Sequence, residues 1–164
     1  ANNVLVSNNL FSNVKSQRGF LMFVPSEVEG RSLSGGNQEI VFSNNIIQNK
    51  QHTDWSISLF RVGELVNFKA MNNLWYNPSN SFPDNPDYKI DQEDGVVFGD
   101  PGLADVNPSQ SWEQIIDALV TSVTEPIWKD KGDTFYFKDA PYLVEKDIRG
   151  KPRVQMDIGP FEME

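Results

Sequence analysis

Pairs of asparagines separate the short apolar segments of this sequence. The pairs are Asn2-Asn3, Asn8-Asn9, Asn44-Asn45 and Asn72-Asn73. Asparagine tolerates left-handed backbone, and its side chain hydrogen-bonds to nearby main chain, so it is typical of tight turns. The pairs therefore predict a chain of short strands joined by many tight turns.

Several apolar segments predict those strands. In the first third of the chain, strand-like segments lie at 4–6, 20–24 and 39–42. Trp55, Ile57 and Leu59 alternate with serines, which is the period of a half-buried strand. The segment 65–71 follows after Gly63, so we expect a hairpin over 55–71.

One helix is predicted in the second half of the chain. Six apolar residues recur at the three- and four-residue spacing of a single helical face: Trp112, Ile115, Ile116, Leu119, Val120 and Val123. Asn107 is the expected N-cap, with Pro108 in the first turn. Pro126 ends the helix.

The C-terminal part has the pattern of a β-meander. Phe135 and Phe137 alternate with polar residues, and so do Val154, Met156 and Ile158. Gly150 and Pro152 lie in a turn ahead of the last segment. We therefore expect two antiparallel strands about that turn.

These elements predict a mainly β fold with one helix. No internal repeat is evident, and strands without alternating helices favour antiparallel pairing. The expected architecture is an antiparallel β-sandwich or rolled β-barrel with a single covering α-helix at about 108–124. A chain of 164 residues is expected to form one β-rich domain over 1–164.

The segment 77–107 is unusually long for a loop in such a domain. It is rich in Pro, Asn and Asp, and loops of this length usually have a function or contact a partner. Aromatic and acidic residues in and beside it are the candidate interface residues: Trp75, Tyr76, Phe82, Tyr88, Asp91, Glu93 and Asp94.

Charge and composition exclude several classes of function. Lys and Arg number 14 against 23 Asp and Glu, for a formal net charge of −9, which argues against nucleic-acid binding. The chain has no Cys and one His, which excludes disulfides, thiolate zinc sites and a multi-histidine metal site in one chain. No cofactor is expected. No apolar stretch is long enough for membrane insertion.

Two patterns suggest metal binding or catalysis, and both are incomplete. Asp91, Glu93 and Asp94 lie ahead of Gly95, but the register of a calcium loop is absent. His52 lies near Asp54, although residues two apart on a strand do not make the hydrogen bond that a general base needs. We expect a protein that is not an enzyme. The enzymatic alternative that remains is a small hydrolase that uses the loop carboxylates.

The sequence therefore favours a structural subunit of a multimeric assembly. Among such assemblies it favours a virus or phage virion component of the tail-tube, neck or capsid-decoration type. Its partners would be copies of itself or other subunits. It would be located in the virion, or otherwise be soluble and cytoplasmic at synthesis, with Ala1 following removal of Met or of a signal peptide. The alternative is a carbohydrate- or ligand-binding β-sandwich module, with Trp75 and Tyr76 as a stacking platform and calcium at the loop carboxylates.

Overall fold

The strands of this protein are short and most of them belong to two sheets. The structure, a computed structural model, describes residues 3–14, 27–28, 31–32, 39–50, 68–79, 89–137 and 140–163. The strands are β1 (Asn3–Ser7), β2 (Leu10–Ser12), β3 (Glu27–Val28), β4 (Arg31–Ser32), β5 (Glu39–Ser43), β6 (Ile46–Gln48), β7 (Phe68–Met71), β8 (Leu74–Tyr76), β9 (Val97–Phe98), β10 (Phe135–Phe137) and β11 (Ala140–Tyr142). The helix α1 spans Trp112–Thr121, and a 3-10 turn spans Ile90–Gln92.

The two main sheets are entirely parallel. The first has the order β1-β5-β7, and the second has the order β2-β6-β8-β9. Two small antiparallel pairs, β3 with β4 and β10 with β11, stand apart from them. An isolated parallel bridge from Met71 to Asp94 adds a fourth row to the first sheet.

The chain visits the two sheets in turn and then returns to the first one. Each visit, here called a coil, consists of a strand in the first sheet, a two-residue turn and a strand in the second. The coils are coil 1 (3–12), coil 2 (39–48), coil 3 (68–76) and coil 4 (94–98). Each coil pairs in register with the next, so the four coils form a stack like that of β-solenoid proteins.

The expected antiparallel β-sandwich or rolled β-barrel is therefore wrong. The structure has two all-parallel sheets with one helix, which is an α/β-like arrangement. The prediction assumed that parallel strands need alternating helices between them. A chain that coils back to the same sheets makes parallel pairs without such helices.

The expectation that the sequence has no internal repeat is also wrong. Segments 4–13, 40–49 and 68–77 share one pattern, in which Asn-Asn follows a strand and a third Asn lies four residues after the pair. The first Asn of each pair (Asn8, Asn44 and Asn72) has a positive φ between 51° and 55°. Left-handed backbone turns the chain sharply from one sheet into the other.

The second Asn of each pair forms a ladder of hydrogen bonds between coils. Asn9 donates its main-chain N–H and its Nδ2 to Asn45 Oδ1, at 3.0 and 3.1 Å. Asn45 donates the same two groups to Asn73 Oδ1, both at 2.9 Å. In its turn Asn73 donates both groups to Glu93 Oε1. We call these four residues the asparagine ladder.

Coil 4 differs from the other three, and the difference closes the ladder. Gly95, with φ 64°, takes the left-handed position, because a Cβ there would clash with the Asn72 side chain stacked on it. The next position holds Val96, which has no side-chain acceptor. Glu93 supplies the carboxylate instead, and its other oxygen accepts from Trp75 Nε1 at 3.1 Å. A carboxylate only accepts, so the ladder ends there.

The pleat of the second sheet separates two apolar rows. Leu10, Ile46, Leu74 and Val97 lie in one register row and pack in a core with residues of α1 and of the C-terminal segment. Phe11 and Trp75 lie in the other row, and both pack against Phe42 of the first sheet, with ring centroids 6.0 and 6.2 Å away. The first row therefore faces outward and the second fills the coil interior.

The predicted helix is present, but it begins later than expected. Ser111, and not Asn107, is the N-cap, and a capping box joins Ser111 to Gln114. Asn107 instead accepts a hydrogen bond from Ser109 N–H in a turn ahead of the helix. Ile115 and Leu119 are buried against the second sheet, as the apolar spacing indicates.

The C-terminal segment lies over the outer face of the coils without the two antiparallel strands expected about the turn at 149–152, the second of them at 154–158. Those residues form no strand, and one isolated antiparallel bridge joins Lys146 to Pro152. The left-handed asparagines hold the segment in place. Asn44 donates Nδ2 to Asp133 O at 2.9 Å, and its main-chain oxygen accepts from Gly159 N–H at 2.7 Å.

Some predicted elements lie outside the described residues. These are the strand at 20–24, the 55–59 half of the expected hairpin, and His52. The other half of that hairpin contains β7, whose described partner is β5 in a parallel pair.

Replacing Leu119 by alanine tests which face of α1 is buried. Leu119→Ala removes a buried side chain from the core and should lower the free energy of unfolding by about 2–5 kcal/mol. Asp117→Ala is the control, because Asp117 is exposed on the opposite face and its loss should cost little. Equal shifts of the two variants in thermal unfolding would contradict this packing.

Candidate functional site

The first coil presents an open edge at one end of the stack. β1 and β2 are the terminal strands of their sheets, so each pairs on one side only within the described residues. Their side chains are only partly buried, whereas the Ile40–Phe42 and Ile46–Gln48 positions of coil 2 are fully covered. An edge of this kind carries free N–H and C=O groups that can pair with another strand.

A cavity of about 690 Å³ lies along this edge. Both Leu10, from the outward row, and Phe11, from the interior row, line it. Residues from opposite faces of one strand can line the same cavity only where the cavity passes over the strand's free edge. The cavity therefore occupies the position next to β2 where a further strand of the second sheet would lie.

The apolar wall of the cavity comes from α1 and from the C-terminal segment. Trp112 and Ile116 lie in the first half of α1, and Tyr142 and Ile148 belong to the C-terminal segment. Trp112 is 59% exposed although it belongs to the apolar face of the helix. We call Val106, Trp112, Tyr142 and Ile148, which are all exposed and line the cavity, the apolar rim.

The polar wall contains two hydrogen-bond acceptors without partners. Asn8 Oδ1 is buried and accepts no hydrogen bond. Asn9 Oδ1, the first acceptor position of the asparagine ladder, accepts none from any described residue, although Asn45 and Asn73 both use theirs. Both residues line the cavity. The open edge therefore has one buried acceptor that lacks a donor, Asn8 Oδ1, and one exposed acceptor, Asn9 Oδ1.

A buried charged cluster supports the floor of the cavity. Asp147 accepts from Arg149 Nε at 2.6 Å, and from the main-chain N–H groups of Arg149, Lys151 and Glu162. Burial alone would raise the pKa of Asp147, but these hydrogen bonds together hold it below its usual value. The carboxylate therefore stays ionised and fixes the turn at 147–151.

Arg153 and Asp157 form the other half of this cluster. Arg153 donates to Gly159 O at 2.9 Å and lies 3.4 Å from Glu162. Burial lowers the pKa of Arg153, and nearby carboxylates oppose that shift. Burial also raises the pKa of Asp157, which accepts from the N–H groups of Asp130 and Met163. These contacts hold the segment 153–163, and they do not present a carboxylate pair to solvent.

The residues predicted from sequence do not come together at one site. Trp75 is fully buried inside the coils, and Tyr76 is partly buried beside the core. Glu93 ends the asparagine ladder, while Asp91 and Asp94 are exposed. Phe82 and Tyr88 lie outside the described residues. A fully buried indole cannot stack on a sugar at the surface, so the structure gives Trp75 an internal role.

The weak metal site at Asp91, Glu93 and Asp94 gains no support. No group of three potential ligands converges anywhere in the described part of the chain. Glu93 directs both carboxylate oxygens at Asn73 and Trp75 and has none left facing its two acidic neighbours. The N–H groups of Asn73 and Trp75 thus donate to this carboxylate.

The open edge was missed because it depends on which coil is first in the stack. The repeat at 4–13, 40–49 and 68–77 was the available signal. It predicts stacked coils, and a stack must have a first coil with an unpaired side. The exposure of Trp112 could not be foreseen, since its place in the apolar stripe of α1 predicts burial.

No protein-family model, no curated protein and no solved structure matches the chain. Among the described residues, no helix is long and apolar enough to cross a membrane.

The charged cluster predicts a particular response to acid. Because the pKa of Asp147 is lowered in the folded chain, its ionised form stabilises the fold at pH values above its ordinary pKa. That contribution is lost as the pH falls below about 4. Asp147→Asn should therefore be less stable than the parent at pH 7 and should lose less further stability below pH 4.

Urea unfolding between pH 2.5 and 7 measures this effect. Asp117→Asn is the matched control, because that carboxylate is exposed on α1 and should leave the parent's acid profile unchanged. Parallel profiles for Asp147→Asn and the parent would show that Asp147 does not stabilise the turn by its charge.

Proposed function

We propose that the protein is a structural subunit of a multimeric assembly. It acts through contacts with other polypeptide chains and not through catalysis. A virion component is the type of assembly that the sequence suggests. The observation that supports the proposal best is the open edge of coil 1, with its apolar rim and with strands that pair on one side only among the described residues. Contiguous exposed apolar side chains beside a concave surface are typical of interaction sites.

The position of the rim favours polypeptide as the ligand. The cavity follows the length of the edge strand β2, all three of whose residues line it. Proteins commonly use such an edge to add a strand from a partner, with main-chain hydrogen bonds giving affinity and side-chain pockets giving specificity. The rim aromatics Trp112 and Tyr142 are residue types enriched at such interfaces.

A second candidate is a ligand-binding site in the same cavity. Trp112 and Tyr142 face a polar wall that includes Lys146 and Asn9, and small-molecule sites combine apolar walls with a few polar groups in this way. Carbohydrate is the ligand class that suits an exposed indole beside hydrogen-bonding side chains. Glycan-array binding that Trp112→Ala abolishes would transfer the assignment to this candidate.

The proposed function predicts that the isolated chain associates through the apolar rim. Light scattering coupled to size exclusion should give a mass above that of the monomer at high concentration. The double variant Trp112→Ser, Tyr142→Ser should shift the mass towards the monomer, because it removes the apolar surface that association buries.

Val154→Ser is the control for this experiment. Val154 is 95% exposed but does not line the cavity, so its replacement should leave the mass unchanged. A parent chain that stays strictly monomeric at every concentration would overturn the proposal, as would equal effects of the rim and control variants.

A further inference from the structure

The asparagine ladder has a direction that defines what can bind at the open edge. Asn9 donates to Asn45, Asn45 to Asn73, and Asn73 to Glu93, each with a main-chain N–H and a side-chain Nδ2. The donors to each ladder oxygen therefore come from the coil before it, while Asn45 and Asn73 also donate Nδ2 back to Val6 O and Phe42 O of the preceding coil. At the open edge, Asn9 Oδ1 accepts from no described residue, so an occupant that continues the ladder supplies donors to it from a turn.

The outward apolar row of the second sheet also indicates which side chain would fit beside β2 at the open edge. Leu10, Ile46, Leu74 and Val97 are apolar at four successive levels, and α1 packs over them. Trp112 begins α1 and lines the cavity beyond β2, with most of its surface exposed. An apolar residue one level before Leu10 would lie against the indole and complete the face of the helix.

A second copy of this chain can bury the apolar rim, but it does not supply the parallel donor coil that would continue the ladder at this edge. If copies stacked end to end, coil 4 of one copy would meet coil 1 of the next. Coil 4 has Val96 at the ladder position and the acceptor carboxylate of Glu93 beside it, so it offers no side-chain donor to Asn9. If two first coils met instead, both would present the Asn9 acceptor and their strands would run antiparallel.

We propose that the open edge of coil 1 binds one further parallel coil from a partner segment of polypeptide, whose turn donates hydrogen bonds to Asn9 Oδ1. This proposal rests on the proposed function, since it names the partner that the open edge takes. The partner coil pairs its first strand with β1 and its second strand with β2, and it fills the cavity beneath Trp112. The interface repeats the contact already made three times between successive coils.

The unsatisfied side chain of Asn8 supports this occupant independently. The equivalent residue of coil 2, Asn44, both donates from Nδ2 and accepts at Oδ1. Asn8 donates Nδ2 to Gly159 O, but its buried Oδ1 has no donor. In coil 2 the donor to this oxygen is Asp133 N–H of the C-terminal segment. A buried acceptor without a partner is costly, so an occupant of the cavity that donates to Asn8 Oδ1 would be favoured.

A fusion that supplies a coil tests the proposal. Residues 39–49, which contain the strand-turn-strand unit of coil 2, are appended ahead of Ala1 through a flexible Gly-Ser linker of about 20 residues. The linker keeps the appended coil at a high effective concentration near the edge. Amide hydrogen exchange of the residues of β1 and β2 is then measured by mass spectrometry or NMR.

The appended coil should slow exchange in β1 and β2 by about tenfold or more, since their free main-chain groups become paired. It should also remove the self-association of the parent chain by covering the rim. In a matched control fusion, Asn45→Leu in the appended copy removes the side-chain donor at the ladder position but keeps both strands. This control should give clearly less protection.

The outcomes separate this proposal from the proposed function. If the fusion gives no protection, or if the control protects equally well, the parallel donor coil is the wrong occupant. If in that case the parent still associates through the rim, the proposed function stands without it. A parent dimer in which β1 and β2 become protected would identify a second copy as the occupant and would also overturn this inference.

Discussion

The fold depends on the hydrogen bonds that link one coil to the next through asparagine side chains. Each amide uses its oxygen to accept two N–H groups from the coil before it, where such a coil exists, and its nitrogen to donate to the coil after it. Asparagine is suited to this role because one short side chain carries both a donor and an acceptor. The ladder thereby fixes the register of both sheets at the turn between them, and Glu93 ends it.

The left-handed asparagines beside the ladder connect the coils to the rest of the chain. Asn8 and Asn44 direct their side chains away from the ladder, towards the segment that contains Asp133 and Gly159. The C-terminal segment and α1 thus lie across several coils on the outer face of the second sheet. Their reach beyond β2 creates the cavity, so the same arrangement that stabilises the coils leaves a level beside coil 1 that no described strand fills.

The sequence predicted local elements better than their arrangement. The apolar stripe from Trp112 to Val123 identified α1, because helical periodicity depends on neighbouring residues alone. The strands at 4–6 and 39–42 were also found. Their parallel pairing was not, since the repeat units are separated by segments of unequal length and the Asn pairs alone indicate only turns. Ser111 replaced Asn107 as the N-cap because its box with Gln114 forms at the true start of the helix.

The candidate site was less predictable than the fold, for a physical reason. Trp75 and Glu93 look like surface candidates in an acidic, aromatic segment, yet their side chains bond to each other inside the coils. Trp112 looks like a core residue but remains exposed, because α1 extends past β2, the edge strand of the second sheet. Exposure at a site of this kind is set by where the stack ends, and local patterns do not contain that information.

Exchange of the side-chain amide protons tests most directly whether asparagine amides link the coils. NMR can follow the Nδ2 protons of Asn45 and Asn73, with the exposed Asn107 as an internal reference. The ladder predicts that both buried amides exchange far more slowly than that of Asn107 and at rates similar to each other. Exchange of Asn45 and Asn73 as fast as that of Asn107 would contradict the account.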